Sequence, residues 1–347
     1  MTLKVAVVGD NFMQSSAFED ALNKKIPTGL DINSFDLPFP DEPVIQYSGD
    51  PAYSEIKEFQ GTAEKIVSQA KDAQVLITHV APLTRSMLDL LPDLKFVGVS
   101  RGGPVNVERA ELSKRGIRLV NTPGRNASAV AEFTLGVLLA ETRNIAYAHE
   151  AMKNEIWRGD LYRADVQRKE LSSMTVGLIG YSHIGKRVGQ LLKAFSTRIL
   201  VTDPYISLDD ADRSYGVEKM ELDDLLPQCD AISLHLPATP ETQGLFNESV
   251  INKMKPGAVL INTSRGSLID EAALANALKA GHLSGAALDT YQSEPLPKES
   301  PLLQLPNLLL TPHIAGASST TVVIAADMIA EELRRFMANE PALNPCN

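Results

Sequence analysis

Three side chains in the second half of the sequence have the types needed for acid–base chemistry on a carboxylic acid. Arg265, Glu294 and His313 each follow a short apolar segment typical of a buried strand. Open α/β sheets bind ligands beyond the carboxyl ends of such strands. Histidine is the side chain best suited to take a hydroxyl proton near neutral pH, and a carboxylate on its other ring nitrogen fixes its tautomer. Arginine can bind a carboxylate through two parallel hydrogen bonds. The three types therefore fit hydride transfer to or from the second carbon of a 2-hydroxy or 2-oxo acid, although a surface ion pair and a structural histidine remain alternatives.

A glycine-rich turn between a predicted strand and helix could bind the dinucleotide that such a reaction needs. Residues 175–188 fit the pattern G-x-G-x-x-G at Gly180, Ser182 and Gly185, with serine replacing the middle glycine. That glycine normally lets the backbone approach the pyrophosphate, and serine is small enough to allow this approach. A tight turn without any ligand would explain the pattern equally well, so the motif alone is weak evidence.

The next predicted strand strengthens the cofactor interpretation. It ends at Asp203, 18 residues beyond Gly185. A carboxylate there accepts hydrogen bonds from the adenosine ribose of NAD and repels the additional phosphate of NADP. Backbone N–H groups at the helix start, near His183 and Ile184, are predicted to face the pyrophosphate. We therefore predict NAD as the cofactor, the alternative being that Asp203 is only a turn residue.

The order of these motifs resembles that of the D-isomer-specific 2-hydroxyacid dehydrogenases, including phosphoglycerate dehydrogenases. The matching segments are Gly177–Val188, Ser233–Thr242, Asn262–Gly266, Asp289–Pro295 and Thr311–Gly316. The resemblance implies that Arg265, Glu294 and His313 form the catalytic set. It also implies that Asp289 lies near the nicotinamide carboxamide, and that Leu236, Pro237 and Thr263 line the cofactor groove.

The resemblance also suggests where the substrate binds, with departures from the family pattern. The loop with Arg101, Gly102 and Gly103 resembles the family's substrate loop but is about two residues shorter. His79 stands with Thr78 where phosphoglycerate-binding relatives carry an Arg-Ser pair. Because a phosphate dianion needs cationic donors, we expect the substrate not to be 3-phosphoglycerate. Arg101 is the side chain that would contradict this expectation, if it turns toward a distal phosphate.

Other functions remain open at this stage. They are phosphoglycerate dehydrogenase activity, phosphite oxidation, and an NAD-sensing role like that of the corepressors that resemble these enzymes. Formate oxidation is disfavoured, because formate dehydrogenases resembling this family pair the histidine with glutamine, whereas this chain has Glu294. A hydrolase that keeps NAD bound would not need this order of Arg, Glu and His.

The elements that must position these residues alternate between strands and helices. Strand-like apolar segments recur from Lys4 to about Val120, and again from Thr175 to near Leu310. This pattern predicts an α/β fold. The resemblance implies two doubly wound parallel-sheet domains: a central Rossmann NAD-binding domain (123–313) and a flavodoxin-like substrate domain built from both chain ends (1–122 and 314–347). Long helices are predicted over 126–150 and 318–338.

Composition limits the kinds of partner. The 347 residues carry a formal net charge of −10, which disfavours nucleic acid, and no apolar segment reaches membrane-spanning length. The two cysteines have no metal-ligand spacing, so no metal is expected, and a reducing cytoplasm is the predicted location. No signal peptide is expected at the N-terminus. The family is usually dimeric, and we expect a homodimer in which Trp157–Arg163 forms a contact arm, unless Trp157 packs on its own domain.

Overall fold

The computed structural model describes residues 2–166 and 169–347, and Met1, Gln167 and Arg168 lie outside this description. The chain divides into two compact units. The terminal unit comprises residues 1–125 and 317–347, and the central unit comprises residues 126–316. The sequence predicts the corresponding boundaries after residues 122 and 313.

Strands and helices alternate along both units. The strands are β1 Leu3–Asp10, β2 Leu30–Leu37, β3 Val75–Thr78, β4 Phe96–Val99, β5 Arg118–Asn121, β6 Thr175–Ile179, β7 Arg198–Thr202, β8 Glu218–Lys219, β9 Ala231–Leu234, β10 Ala258–Asn262, β11 Leu283–Leu288 and β12 Leu308–Leu310. The helices are α1 Ser15–Lys25, α2 Ala63–Ala70, α3 Arg85–Asp89, α4 Arg109–Lys114, α5 Ala127–Thr142, α6 Ile145–Lys153, α7 His183–Lys193, α8 Asp210–Ser214, α9 Leu222–Leu225, α10 Glu248–Lys253, α11 Glu271–Lys279 and α12 Ser319–Met337.

The terminal unit is built on a parallel sheet with the strand order β2-β1-β3-β4-β5. Alternate residues of β1 enter two separate apolar cores, one containing Val7 and the other Val8. Helices α1 and α12 cover the first face, where Leu22 and Ile329 are fully buried. Coverage of both faces is what an all-parallel sheet requires. This strand order is the flavodoxin-like one, with its switch point between β1 and β3.

The central unit contains a second parallel sheet with the order β12-β11-β10-β9-β6-β7-β8. Strands β8-β7-β6-β9-β10-β11 reproduce the Rossmann order 3-2-1-4-5-6. Leu178 of β6 and Val188 of α7 share one apolar core, and Ile232 of β9 and Leu274 of α11 share the other. The predicted doubly wound fold is thus confirmed.

The single helix predicted over residues 126–150 is wrong. The structure has two helices there, because Asn144 adopts left-handed backbone angles with φ 55°. Asparagine tolerates this region better than most residues. The Thr142 hydroxyl turns back to donate to the Leu138 carbonyl at 2.8 Å. Periodicity could not show the break, because apolar residues continue on both sides of it.

The last helix was predicted over residues 318–338 and is observed as α12, with the Ser318 hydroxyl accepting from the Thr321 N–H at its start. In the part of the chain that the structure describes, none of the helices has the length and apolar character needed to cross a membrane.

Candidate active site

The glycine-rich turn after β6 has a geometry that only glycine satisfies at two positions. Gly180 has φ +92°, and a Cβ there would lie 2.8 Å from the His235 carbonyl oxygen. A Cβ on Gly185 would lie 2.1 Å from the Gly180 carbonyl oxygen. The glycines therefore allow the turn to close tightly between β6 and α7, as a dinucleotide-binding turn requires.

The turn leads into an accessible helix N-terminus. Ser182 is exposed and precedes the first residue of α7, His183, and its hydroxyl caps no backbone N–H of the described helix. A groove of about 610 Å³ lies here, with a lining that includes Ser182, His183, Lys186, Arg187, Ile206 and Ser207. The serine hydroxyl and the N–H groups of the first helical turn form a donor set suited to a pyrophosphate. The residues that line this groove are therefore suited to bind a dinucleotide.

Asp203 lies immediately after β7, beside this turn. One of its carboxylate oxygens accepts from the Tyr181 N–H at 2.8 Å and the other from the Tyr205 N–H at 2.9 Å. These bonds fix the carboxylate next to the glycine-rich turn. Each oxygen keeps a further lone pair with which it can accept from a ribose hydroxyl.

His313 and Glu294 form a hydrogen-bonded pair. The His313 Nδ1 atom lies 2.7 Å from Glu294 Oε2, and Glu294 Oε1 accepts from the Tyr291 N–H at 3.0 Å. The His313 side chain is 47% exposed and that of Glu294 is 21% exposed. A carboxylate at this distance places the imidazole proton on Nδ1. Nε2 is then the ring atom left to exchange a proton with a ligand.

The backbone around His313 is held in an unusual conformation. His313 has φ 55°, a left-handed conformation that costs about 1–3 kcal/mol and persists only where its surroundings impose it. Asp289 imposes it here. The Asp289 carboxylate accepts from the Thr311 hydroxyl at 2.7 Å and from the N–H groups of Ile314 and Ala315 at 2.9 and 2.8 Å.

Asp289 is 1% exposed, and the described hydrogen bonds of its carboxylate all lie in the loop that carries His313. The proximity of Asp289 to a nicotinamide carboxamide, implied by the family resemblance, stays a prediction.

Arg265 follows β10 and is exposed, and its Nη1 donates to the Ser264 carbonyl at 2.8 Å. Asn262 braces this turn, because its amide nitrogen donates to the Arg265 carbonyl at 2.9 Å. A Cβ on Gly266 would lie 1.9 Å from the Tyr291 carbonyl carbon. The turn after β10 therefore packs directly on the loop that carries Glu294. A direct contact between Arg265 and His313 is not among the interactions described.

The other predicted cofactor residues lie at the ends of neighbouring strands. Thr263 is buried and its hydroxyl lies 2.7 Å from that of Thr134. Leu236 is half-buried and Pro237 is exposed beyond β9. His235, which was not predicted as a site residue, is buried there. Neither ring nitrogen has a partner among the described residues, and burial lowers the pKa of His235 to about 3.

In the terminal unit, His79 is buried next to Asp10. His79 Nδ1 lies 2.7 Å from Asp10 Oδ2, and Arg125 Nη2 lies 3.2 Å from His79 Nε2. Desolvation lowers the pKa of His79 to about 4, although Asp10 opposes the shift. His79 is therefore neutral near pH 7. Arg125 was not predicted as a site residue, because the resemblance to the family pointed to the glycine-rich loop after β4, although Arg125 too follows a buried strand.

The loop after β4 carries the remaining predicted substrate residues. The Arg101 guanidinium bonds to both the carbonyl and the carboxylate of Glu58. Gly102 and Gly103 are exposed, and their N–H groups donate to no other residue that the structure describes. These N–H groups remain suited to bind a carboxylate.

Comparison with known proteins places this site in a family. The profile of the D-isomer specific 2-hydroxyacid dehydrogenase NAD-binding domain matches residues 135–315. A glyoxylate reductase of Korarchaeum cryptofilum is 35% identical over 283 residues, covering 81% of this chain and 85% of that protein. A D-3-phosphoglycerate dehydrogenase of Mycobacterium bovis is 36% identical over 278 residues, covering 80% of this chain and 52% of that protein.

The structural comparison agrees. The structure of a D-2-hydroxyisocaproate dehydrogenase matches with a TM-score of 0.81 and 27% identity, over 99% of each chain. The chain belongs to the D-isomer specific 2-hydroxyacid dehydrogenase family, although it spans about half the length of the phosphoglycerate dehydrogenases that it matches. The predicted family, NAD cofactor and oxidoreductase class are thereby confirmed.

Proposed function

We propose that this chain interconverts a small 2-oxo acid and its 2-hydroxy acid, with His313 as the acid–base residue. The hydrogen bond between His313 and Glu294 carries the proposal, because it presents Nε2 of a fixed tautomer to a ligand. Nicotinamide, when bound, supplies or accepts the hydride.

The proton and the substrate are handled by residues of the chain. In the direction of reduction, the imidazolium form of His313 donates its Nε2 proton to the oxygen on the second carbon. It is left as the neutral tautomer with its proton on Nδ1, still hydrogen-bonded to Glu294. Arg265 binds the substrate carboxylate and polarises the neighbouring oxygen. The N–H groups of Gly102 and Gly103 are donors suited to a substrate carboxylate. A positioned acid–base group of this kind contributes roughly 10²–10⁴-fold to the rate.

The geometry of the turn after β6 supports the cofactor-binding roles that we propose for its residues. Ser182, His183 and Ile184 offer donors to the pyrophosphate, and Gly180 and Gly185 allow its approach. Asp203 accepts from the ribose, Leu236, Pro237 and Thr263 line the cofactor groove, and Asp289 lies near the nicotinamide carboxamide.

Isotope transfer tests the proposal directly. NADH deuterated at the transferring position of C4 is incubated with the protein and a 2-oxo acid. Mass spectrometry of the 2-hydroxy acid should find deuterium on its second carbon. An unlabelled product, or none with any acid of a panel from glyoxylate to 2-oxoglutarate, would refute the proposed reaction.

We further propose that the chain forms a homodimer through the segment after α6. Trp157 is 82% exposed and Tyr162 is 88% exposed, with Ile156 exposed beside them. Arg158 pairs with Asp160 at 2.7 Å, so the local charges are balanced. Exposed aromatic side chains of this kind are typical of an interface, and the high exposure of Trp157 favours the contact arm over packing on its own domain.

A cytoplasmic location is proposed on the state of the thiols. Cys229 is buried and Cys346 half-buried, and both are free. Burial raises the pKa of the Cys229 thiol to about 12, so it is unreactive near neutral pH. Cell fractionation tests this location, and recovery outside the cytoplasm would contradict it.

A further inference from the structure

Arg125 is a partly buried cation at the carboxyl edge of the terminal unit's sheet. It follows β5, while Asp10 ends β1 and His79 follows β3. Asp10 and His79 therefore flank the switch point of this strand order, where doubly wound sheets bind ligands. The three side chains meet there in the order Asp10, His79, Arg125.

The chain of hydrogen bonds orients the guanidinium. Two backbone N–H groups, of Phe12 and Met13, donate to one Asp10 oxygen at 2.9 and 2.8 Å, which fixes the carboxylate. The His79 proton is then on Nδ1, facing Asp10, and Nε2 accepts from Arg125. Phe12 lies under the guanidinium, with its ring centre 5.9 Å from the Arg125 Cζ atom.

Most of the donors of Arg125 remain unused. Its described contacts are His79 Nε2 at 3.2 Å and Met13 Sδ at 3.6 Å, which occupy two of five N–H groups. No carboxylate of the described residues lies within 4.0 Å of the guanidinium. Burial, and next the charge of Arg101, lower the pKa of Arg125 to about 10, so an anion would relieve an unfavourable environment.

We propose that Arg125 binds a second anionic group of the substrate, on the side chain of the 2-oxo acid. This inference rests on the proposed function and adds the substrate class. Arg101 is bonded to Glu58 and His79 is neutral. Among the described side chains at this edge of the terminal unit, Arg125 is therefore the cation left for the ligand, and its planar fork matches a carboxylate. A phosphate shares this chemistry but would normally need further cationic donors.

Kinetics with matched acids test the proposal. Wild type, Arg125→Met, Arg125→Lys and the control Arg85→Met, which removes an exposed arginine of the same unit, are assayed with NADH. Glyoxylate and pyruvate have no second charge, oxaloacetate and 2-oxoglutarate add a carboxylate, and 3-phosphohydroxypyruvate adds a phosphate. We expect wild type to prefer an acid with a second anionic group.

Arg125→Met should lose about 100-fold in kcat/KM on the preferred acid and less than about threefold on glyoxylate. Arg125→Lys should lose less, because it keeps the charge without the fork, and Arg85→Met should match wild type. If Arg125→Met loses kcat/KM on the dicarboxylic acids, the second anionic group is a carboxylate. If it loses kcat/KM on the phosphorylated acid, the group is a phosphate. Equal losses of kcat/KM on all acids would overturn the proposal, since Arg125 would then bind the carboxylate that all of them share. A wild-type preference for acids with uncharged side chains would also overturn it.

A binding assay separates this inference from the proposed reaction. Thermal shifts produced by malonate and by inorganic phosphate are measured for wild type, Arg125→Met and Arg85→Met. A shift lost only in Arg125→Met supports the anion site even if no acid is turned over. Identical shifts in all three proteins would overturn the site whether or not the enzyme is active.

Discussion

Asp289→Asn should weaken both the fold and the reaction, because it removes a charge that holds the loop of His313. The carboxylate accepts three hydrogen bonds, from Thr311, Ile314 and Ala315. In either orientation the amide places an NH2 group against at least one donor. Losing a hydrogen bond to a buried charged group costs about 1.5–3 kcal/mol, and an unsatisfied buried N–H costs about 1–3 kcal/mol. These overlapping losses predict a decrease of about 2–4 kcal/mol in the free energy of unfolding.

The same change should release the left-handed backbone of His313. A displacement of about 1 Å at a catalytic group can cost on the order of 100-fold, so we expect kcat to fall between about 10- and 100-fold. Urea unfolding followed by circular dichroism and steady-state NADH oxidation measure the two effects. Asp210→Asn, at a fully exposed aspartate of the central unit, is the control. Unchanged stability with only a raised KM for NADH would refute the reasoning and would favour a role in cofactor contact alone.

Four further changes have defined outcomes. His313→Ala should lower kcat by roughly 10²–10⁴-fold with little change in NADH binding, and retained turnover would move the acid–base role elsewhere. Asp203→Ala should narrow the preference of kcat/KM for NAD over NADP, and a wild type that uses both equally would contradict the placement of this residue. Trp157→Asp should shift the sedimentation coefficient toward that of a monomer, while Tyr47→Asp, at another exposed aromatic residue, should not. A wild-type protein that sediments as a monomer at micromolar concentration would contradict the proposed dimer contact. His235→Leu should make the free energy of unfolding less sensitive to acid. In the unfolded chain this histidine takes up a proton below pH 6.5, whereas its pKa in the folded protein is about 3, so the wild type should lose about 2 kcal/mol of stability from this residue between pH 7 and 5. If the free energy of unfolding falls with pH equally in both proteins, His235 is not buried in its neutral form.

Much of the fold followed from local patterns in the sequence. Strands buried on both faces are continuously apolar, as in Ala258–Asn262, and the glycine positions of the turn after β6 follow from backbone sterics alone. The pairing of Glu294 with His313 was inferred from their chemical types and order. It could be inferred because both residues follow strands of one parallel sheet, whose carboxyl ends share an edge.

What the sequence did not show depends on contacts between distant segments. Arg125 gains its significance from Asp10 and His79, which are separated from it by 115 and 46 residues. The role of Asp289 in holding the His313 loop depends on three donors that lie 22–26 residues further along the chain. The break at Asn144 depends on one residue's backbone angles. Periodicity and motif spacing carry no information on such pairings.

The central claim is that the site turns over a 2-oxo acid rather than only binding NAD. Binding of NADH and its oxidation can be measured on one preparation, by fluorescence titration and by the decrease in absorbance with a panel of 2-oxo acids. Saturable NADH binding together with turnover of at least one acid, abolished in His313→Ala, is the predicted result. Tight NADH binding without turnover of any acid would contradict the account and would favour a cofactor-sensing protein.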